Sequence, residues 1–316
     1  MISILEKEIA FRYLKTRKKD GFLNIISIFS FIGISLGVAV LIIVMSVMNG
    51  FRTELINKIV GFNAHVEVKP YEKSINIEKL ENNYLKLISN ELIFSNSGEA
   101  IIIHKNSTKG IVLRGYNNND FSKLEIIKKE NFIGDSRNLK KNSISIGKTL
   151  SENLNLKIGD KISIMSPDGV ATIIGKFPKQ ENFIIISIFD SGLSNFDENI
   201  AFVNLESLED FFNFKKKERN LEIYLKNPSN INKIKTEIQK IFDNEYIYTW
   251  SDMNSSLFSA LKVERNVMFI ILSLIIIVAA FNIISGLTIL VKNKTREIAI
   301  LKSIGVLNKS ITKIFF

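Results

Sequence analysis

The 316-residue chain has no cysteine, four prolines and two histidines. Without cysteine it can form no disulfide, no zinc knuckle and no thiol nucleophile. His65 and His104 are far apart, each in a segment that reads as a strand, and no H-E-x-x-H pair or G-x-S-x-G elbow occurs. A P-loop is missing too. Gly147-Lys148-Thr149 resembles its tail, but Asn142 stands where the motif requires its first glycine. Carboxylates are plentiful but scattered. The residues therefore propose no catalytic group, no metal site and no cofactor.

Two stretches also lack charge. Residues 21–51, between Asp20 and Arg52, carry none, and neither do residues 266–291, between Arg265 and Lys292. Roughly 20 apolar residues in a helix cross the hydrocarbon core of a bilayer, so both stretches predict transmembrane helices. The first is longer than the h-region of a cleaved signal, and no A-x-A-like site follows it. Buried core helices are the alternative, but soluble helices rarely run this far without a charge. Gly33 and Gly37 form a G-x-x-x-G in the first stretch, the spacing that lets two membrane helices pack closely.

The net charge of +10 gathers at the ends. Residues 1–20 carry +3 and residues 292–316 carry +5, which leaves +2 for everything between. Positive residues mark the cytoplasmic side, so both ends are expected there and the middle outside. Nothing remains of a nucleic-acid footprint.

The expected organisation follows. Residues 1–20 form a cytoplasmic amphipathic segment, with Leu5, Ile9 and Tyr13 on one face and Arg12, Lys15, Arg17, Lys18 and Lys19 within reach of membrane lipids. Residues 21–51 form the first span, 52–250 an extracytoplasmic α+β domain, 251–265 a stalk helix running straight into the second span, and 266–291 that span. Residues 292–310 form a cytoplasmic amphipathic helix. Residues 311–316 turn apolar again, as the start of a third, truncated membrane helix. In the middle, strands are expected at 65–69, 100–104, 111–115, 143–146, 161–165, 171–176, 183–189, 200–203, 221–225 and 246–250. Helices are expected at 77–94, 205–214 and from Ile231 to Phe242.

Phe11-Arg-Tyr-Leu, Ser35-Leu-Gly-Val and Ser46-Val-Met-Asn-Gly-Phe51 resemble the first span of the LolC/LolE family, permease subunits of the lipoprotein-releasing ABC transporter. Ala260-Leu-Lys-Val-Glu264, Ala279-Ala-Phe-Asn-Ile-Ile284 and Glu297-Ile-Ala-Ile-Leu301, with Gly305, are similar to its second span and the segment beyond. Arg114-Gly115, Leu156-Lys-Ile-Gly-Asp160, Ser166-Pro167 and Phe189–Asp197 keep the family's order more loosely.

The resemblance implies a MacB-like periplasmic core domain in an inner-membrane permease with four spans, of which this chain supplies two. It also implies a separate cytoplasmic ATPase, a second permease subunit (identical or different), a lipoprotein substrate and a periplasmic lipoprotein carrier. Lys294, Arg296, Glu297, Ile298, Leu301, Lys302, Ile304 and Gly305 would form the coupling helix that docks on the ATPase, although a helix on the membrane surface has the same pattern. Val44, Met48 and Phe51 would receive acyl chains, or would serve helix packing alone. Pro167, Pro178, Lys179 and Phe183 would belong to a hairpin that captures the carrier, or to an ordinary strand–loop–strand. MacB-like exporters and FtsX-like regulators share the architecture. A two-span sensor or adhesion protein is the alternative of another class.

Overall fold

The computed structural model describes residue 8 and residues 21–128, 132–135, 139–167, 170–172, 175–228 and 230–315. The expected N-terminal amphipathic helix falls outside these, Glu8 excepted. The chain divides into two units, Thr53–Phe258 and the combination of Met1–Arg52 with Ser259–Phe316.

In the second of these units the uncharged stretches are helical. Helix α1 covers Gly21–Phe62. At ~1.5 Å per residue its 42 residues exceed the ~30 Å of a hydrocarbon core, so the helix continues past the apolar stretch into the Thr53–Phe258 unit. A helix is the form such a sequence must take in lipid, because it pairs its own backbone groups.

The Thr53–Phe258 unit is built on a ten-stranded sheet. Its strands are β1 (Val66–Lys69), β2 (Ser89–His104), β3 (Ser107–Tyr116), β4 (Ile133–Gly134), β5 (Ser143–Gly147), β6 (Lys161–Met165), β9 (Gln180–Phe189), β10 (Ile200–Asn204), β11 (Asn220–Leu225) and β12 (Tyr246–Thr249). A separate two-stranded hairpin, β7 (Val170–Thr172) and β8 (Gly175–Phe177), comes between β6 and β9 in the chain. The main order is β12-β1-β11-β2-β3-β10-β5-β9-β4, and β6 pairs with both β2 and β9. Those last pairings close six strands into a ring, β2-β3-β10-β5-β9-β6. Each ring strand sends alternate side chains into one cluster that includes Ile102, Leu113, Ile146, Ile164, Phe183 and Val203. Helices α2 (Lys148–Leu154) and α3 (Leu205–Phe212) add Leu150, Leu208 and Phe211 to it.

Strands β11, β1 and β12 extend from the first half of β2 as a wing. Helix α4 (Ile231–Ile241) covers the wing with Ile231 and Ile238. A third, aromatic cluster joins Tyr116, Phe121, Phe189 and Phe202 to Phe62, the last residue of α1.

Three expectations change. The stretch expected as helix over 77–94 is a 3-10 turn (Ile77–Glu81), a short helix (Asn83–Ile88) and then the start of β2. Ile93 is buried on one face of β2 while Leu92 and Phe94 pack on the other. A strand apolar on both faces reads like a helix in sequence. The stretch expected as one strand over 171–176 is the β7–β8 hairpin. The stalk is interrupted. A reciprocal capping box between Thr249 and Asp252 starts a short helix, Trp250–Met253. Asn254 closes it by donating from Nδ2 to the Trp250 carbonyl at 2.8 Å. Helix α5, Ser255–Asn293, then begins and carries the second uncharged stretch. Beyond it lie α6 (Thr295–Ser303) and α7 (Asn308–Phe315).

Candidate functional site

Both long helices repeat their side chains every three to four residues, and this periodicity creates a cleft between α1 and α5. Met45, Met48, Asn49 and Arg52 face it from α1, and Leu261, Glu264, Arg265, Met268, Phe269 and Leu272 from α5. The cleft holds about 160 Å³. Its composition is graded: Met45, Met48, Met268, Phe269 and Leu272 make one end apolar, while Asn49, Arg52, Glu264 and Arg265 make the other polar. Thioether side chains flex and polarise, so three methionines suit an apolar guest of irregular shape. Of the expected acyl-binding residues, Met48 lines this cleft and Val44 and Phe51 do not. Arg52, Glu264, Arg265 and Met268 also line it and are not among the residues expected to bind acyl chains. Their signal is the i, i+3/i+4 spacing shared with Met48 on one helix and Leu261 on the other.

A second cleft of about 200 Å³ lies between the same helices and is lined by Gly33, Gly37, Ile275, Ala279 and Asn282, among others. The two glycines differ. A side chain at Gly37 would lie 3.9 Å from the Ile275 methyl, while nothing lies within 4 Å of one at Gly33.

Helix α6 follows a break at Lys294, whose Nζ sits 3.4 Å from Glu297. It ends in a Schellman motif: Val306 N–H donates to the Leu301 carbonyl and Gly305 N–H to the Lys302 carbonyl, with Gly305 at φ +88°. Only a glycine takes that conformation at little cost, which gives Gly305 its place. Arg296 and Lys302 are exposed. Of the apolar residues expected to dock, Ile298 and Leu301 are half-buried, and Ile304 is 71% exposed. Ile300 and Leu307 (75% exposed) stand out with Ile304, and these three were not all anticipated. The exposed apolar face is therefore Ile300–Ile304–Leu307, and Ile298 and Leu301 contribute less surface to it than expected.

The hairpin region is mixed. Pro167 and Pro178 are exposed at the two roots of β7–β8. Lys179 is tied down: its Nζ donates to the Asp210 carbonyl at 2.7 Å and pairs with Glu181 at 2.9 Å. Phe183 is a correction. It is fully buried in the ring and meets Phe211 edge-to-face at 6.3 Å, because it sits on the inward register of β9. The Gly147-Lys148-Thr149 segment has its own structural explanation. A side chain at Gly147 would lie 2.1 Å from the Asp197 backbone, and Lys148 pairs with Asp190 at 3.1 Å.

The MacB-like periplasmic core domain family matches residues 27–241. The lipoprotein-releasing system transmembrane protein LolC of Buchnera aphidicola (Acyrthosiphon pisum strain) is 32% identical, over 97% of this chain and 77% of that one. The chain belongs to the LolC/LolE family. LolC of Neisseria meningitidis is 29% identical over 98% of this chain and 76% of its own, and LolE of Haemophilus influenzae 28% over 97% and 76%. The periplasmic region of MacB from Actinobacillus actinomycetemcomitans is a distant structural neighbour, with a TM-score of 0.37 at 8% identity over 62% of this chain and 94% of its own. As in the LolC/LolE family, two apolar helices flank a MacB-like α+β domain here, and the chain is a membrane protein of the non-catalytic permease class.

Proposed function

We propose that this chain is a permease subunit that lifts lipoproteins out of the inner membrane, driven by a separate cytoplasmic ATPase. The observation that carries this reading is the graded α1–α5 cleft in a chain of the LolC/LolE family. An apolar pocket with a charged rim suits acyl chains attached to a polar head. Val44 and Phe51 flank it on α1 and would guide the chains towards Met48. The charge excess at both ends supports cytoplasmic termini, with the sheet domain in the periplasm.

Force would enter at α6. Exposed Ile300 on the helix, with Ile304 and Leu307 in the turn that follows, makes an apolar patch bordered by Arg296 and Lys302 that suits an apolar groove on the ATPase, and Gly305 sets that turn. Ile298, Leu301, Lys294 and Glu297 hold the helix in place from behind. The β7–β8 hairpin, rooted at Pro167 and Pro178 and braced by Lys179, would meet a periplasmic lipoprotein carrier. Phe183 would anchor the hairpin base from inside the ring. A second permease subunit, identical or not, would complete the path.

The test is a mass-spectrometric inventory of what co-purifies with the membrane-extracted protein. An ATPase together with triacylated lipoproteins is expected. An ATPase with a cell-wall hydrolase or an outer-membrane channel would move the function to a regulator or exporter, and the absence of any ATPase would overturn the transporter reading. Ile304→Glu should lose the ATPase and leave the sheet domain folded. Retention of the ATPase by that variant would mean that the docking face lies elsewhere.

A further inference from the structure

The outer end of α1 does not simply run into the sheet domain; it is seized by it. Phe62 is buried and stacks on Phe196 at 4.7 Å between ring centroids, with Phe189 and Phe202 at 5.9 and 6.0 Å. One turn earlier, Lys58 donates from Nζ to the Gly192 carbonyl at 3.1 Å. Gly192 has φ +73°, and a side chain there would lie 3.2 Å from the Lys58 ammonium. Just after the helix, Asn63 accepts from Arg114 Nη1 at 3.3 Å, and the Arg114 guanidinium lies 5.9 Å from the centre of the Phe62 ring.

Arg114 is in turn fixed by a buried carboxylate. Its Nη2 donates to Glu222 Oε1 at 3.1 Å, with the two side chains 13% and 4% exposed. Glu222 also accepts from Ser95 Oγ at 2.6 Å, from the Tyr116 hydroxyl at 2.9 Å and from the Tyr224 hydroxyl at 2.8 Å. These donors come from β2, β3 and β11, the strands where ring and wing meet. Burial works against the guanidinium charge, but the Glu222 carboxylate beside it holds Arg114 protonated.

Replacing a buried ion pair by well-packed apolar side chains is often neutral or stabilising, so stability alone does not explain this cluster. Its distinguishing property is direction. Apolar contacts tolerate sliding and rotation, whereas hydrogen bonds to one carboxylate from three strands define a single orientation.

We propose that the Arg114–Glu222 cluster is the joint that converts displacement of α1 into displacement of the sheet domain, with Arg114 and Glu222 as positioning residues for release. The proposal deepens the permease reading and rests on it. It predicts uncoupling rather than loss of ATP hydrolysis when the joint is loosened.

The experiment uses the full chain with its ATPase in liposomes, carrying Arg114→Met with Glu222→Met. ATP hydrolysis should stay close to the parent's. Lipoprotein released per ATP should fall by roughly two- to thirty-fold, the range over which residues of a coupling network act. In parallel, spin labels at Glu54→Cys on α1 and Glu99→Cys on β2 report the orientation of the joint directly, because the chain has no cysteine of its own. A single narrow distance in the parent should broaden in the double variant. Unchanged release per ATP, or an unchanged distance distribution, would overturn the joint. A parent protein that releases no lipoprotein would count against the permease reading, and the distance measurement would still decide the joint. Should the double variant not fold, Asn63→Ala removes only the acceptor beside the helix end and should produce the same broadening to a lesser degree.

Discussion

In the Thr53–Phe258 unit, Phe183, Phe189 and Phe202 are closed off completely, each packed against at least one other ring. In the other unit, Phe31, Phe269 and Phe281 leave 66–72% of their surface uncovered. The same residue type is used in opposite ways, and the contrast shows which medium each part is built for. A core phenylalanine contributes by leaving water for protein. On a lipid-facing helix it gains nothing from further burial, because hydrocarbon tails already provide an apolar surrounding.

The contrast can be broken most forcefully at Phe202, which lies within 6 Å of Phe62, Tyr116, Phe121 and Phe189. Phe202→Ala should cost about 3–5 kcal/mol. Phe269→Ala should leave unfolding of the sheet domain unmoved. Thermal denaturation of both variants in one detergent checks the pair, and equal shifts would mean that the uncovered phenylalanines are packed after all.

Glycines give a second, smaller contrast. A methyl at Gly147 meets the Asp197 backbone at 2.1 Å, whereas one at Gly33 meets nothing. Backbone cannot swing aside as a side chain can, so Gly147→Ala should cost at least the ~1–3 kcal/mol typical of overpacking. Gly33→Ala should leave the folded monomer unharmed, since alanine is the better helix former. Destabilisation by Gly33→Ala in the extracted protein would reveal a close helix partner at that position and give the G-x-x-x-G its expected role.

Caps give a third. Thr249 Oγ1 accepts from Asp252 N–H at 3.2 Å, and the Asp252 carboxylate returns the contact to Thr249 N–H at 2.8 Å. Thr249→Ala should cost about 1 kcal/mol. Thr288, whose hydroxyl only adds a bond to the Ile284 carbonyl one turn back, should be replaceable at less cost. Chemical denaturation resolves the two.

How much of this was legible in the sequence depends on distance along the chain. The long helices follow from uncharged stretches, and α4 from the spacing of Ile231, Ile234 and Ile238. The ring was not legible. It closes only because Ile102 on β2 sits in register with Ile164 on β6, a pairing across about 60 residues that nothing local announces. The joint was hidden for the same reason, since Arg114 and Glu222 are 108 positions apart. Within the cleft, Met48 could be named because it lies in a motif. Arg52 and Arg265 mark the ends of uncharged stretches, and in sequence they read only as boundaries. The amphipathic pattern after the second uncharged stretch marks where α6 lies, but which of its apolar residues are exposed was not legible, because periodicity gives the faces of a helix without saying which of them is covered.

The smallest contrast is one of pH, and it centres on His65, where α1 gives way to β1. Its Nδ1 accepts from Leu225 N–H at 2.7 Å, which requires that nitrogen to be unprotonated. Burial holds the His65 pKa below the ordinary 6.5, against weaker opposing effects from the Val60 carbonyl, Glu125 and Leu225. The unfolded chain therefore binds this proton at higher pH than the folded one does. The stability that His65 contributes is complete above about pH 6.5 and drains away as pH falls from there towards the lowered native value. Asp252 also has a lowered pKa, because Lys235 and Thr249 outweigh its burial, but its contribution is lost only in stronger acid, below the ordinary carboxylate range. The two can thus be separated along the pH axis. His65→Gln should flatten the thermal midpoint just below pH 6.5 and leave the acid limb in place. A parent and a variant with parallel midpoints across that window would show that His65 takes up its proton alike in both states, and the Leu225 contact would then be a packing detail rather than a titrating one.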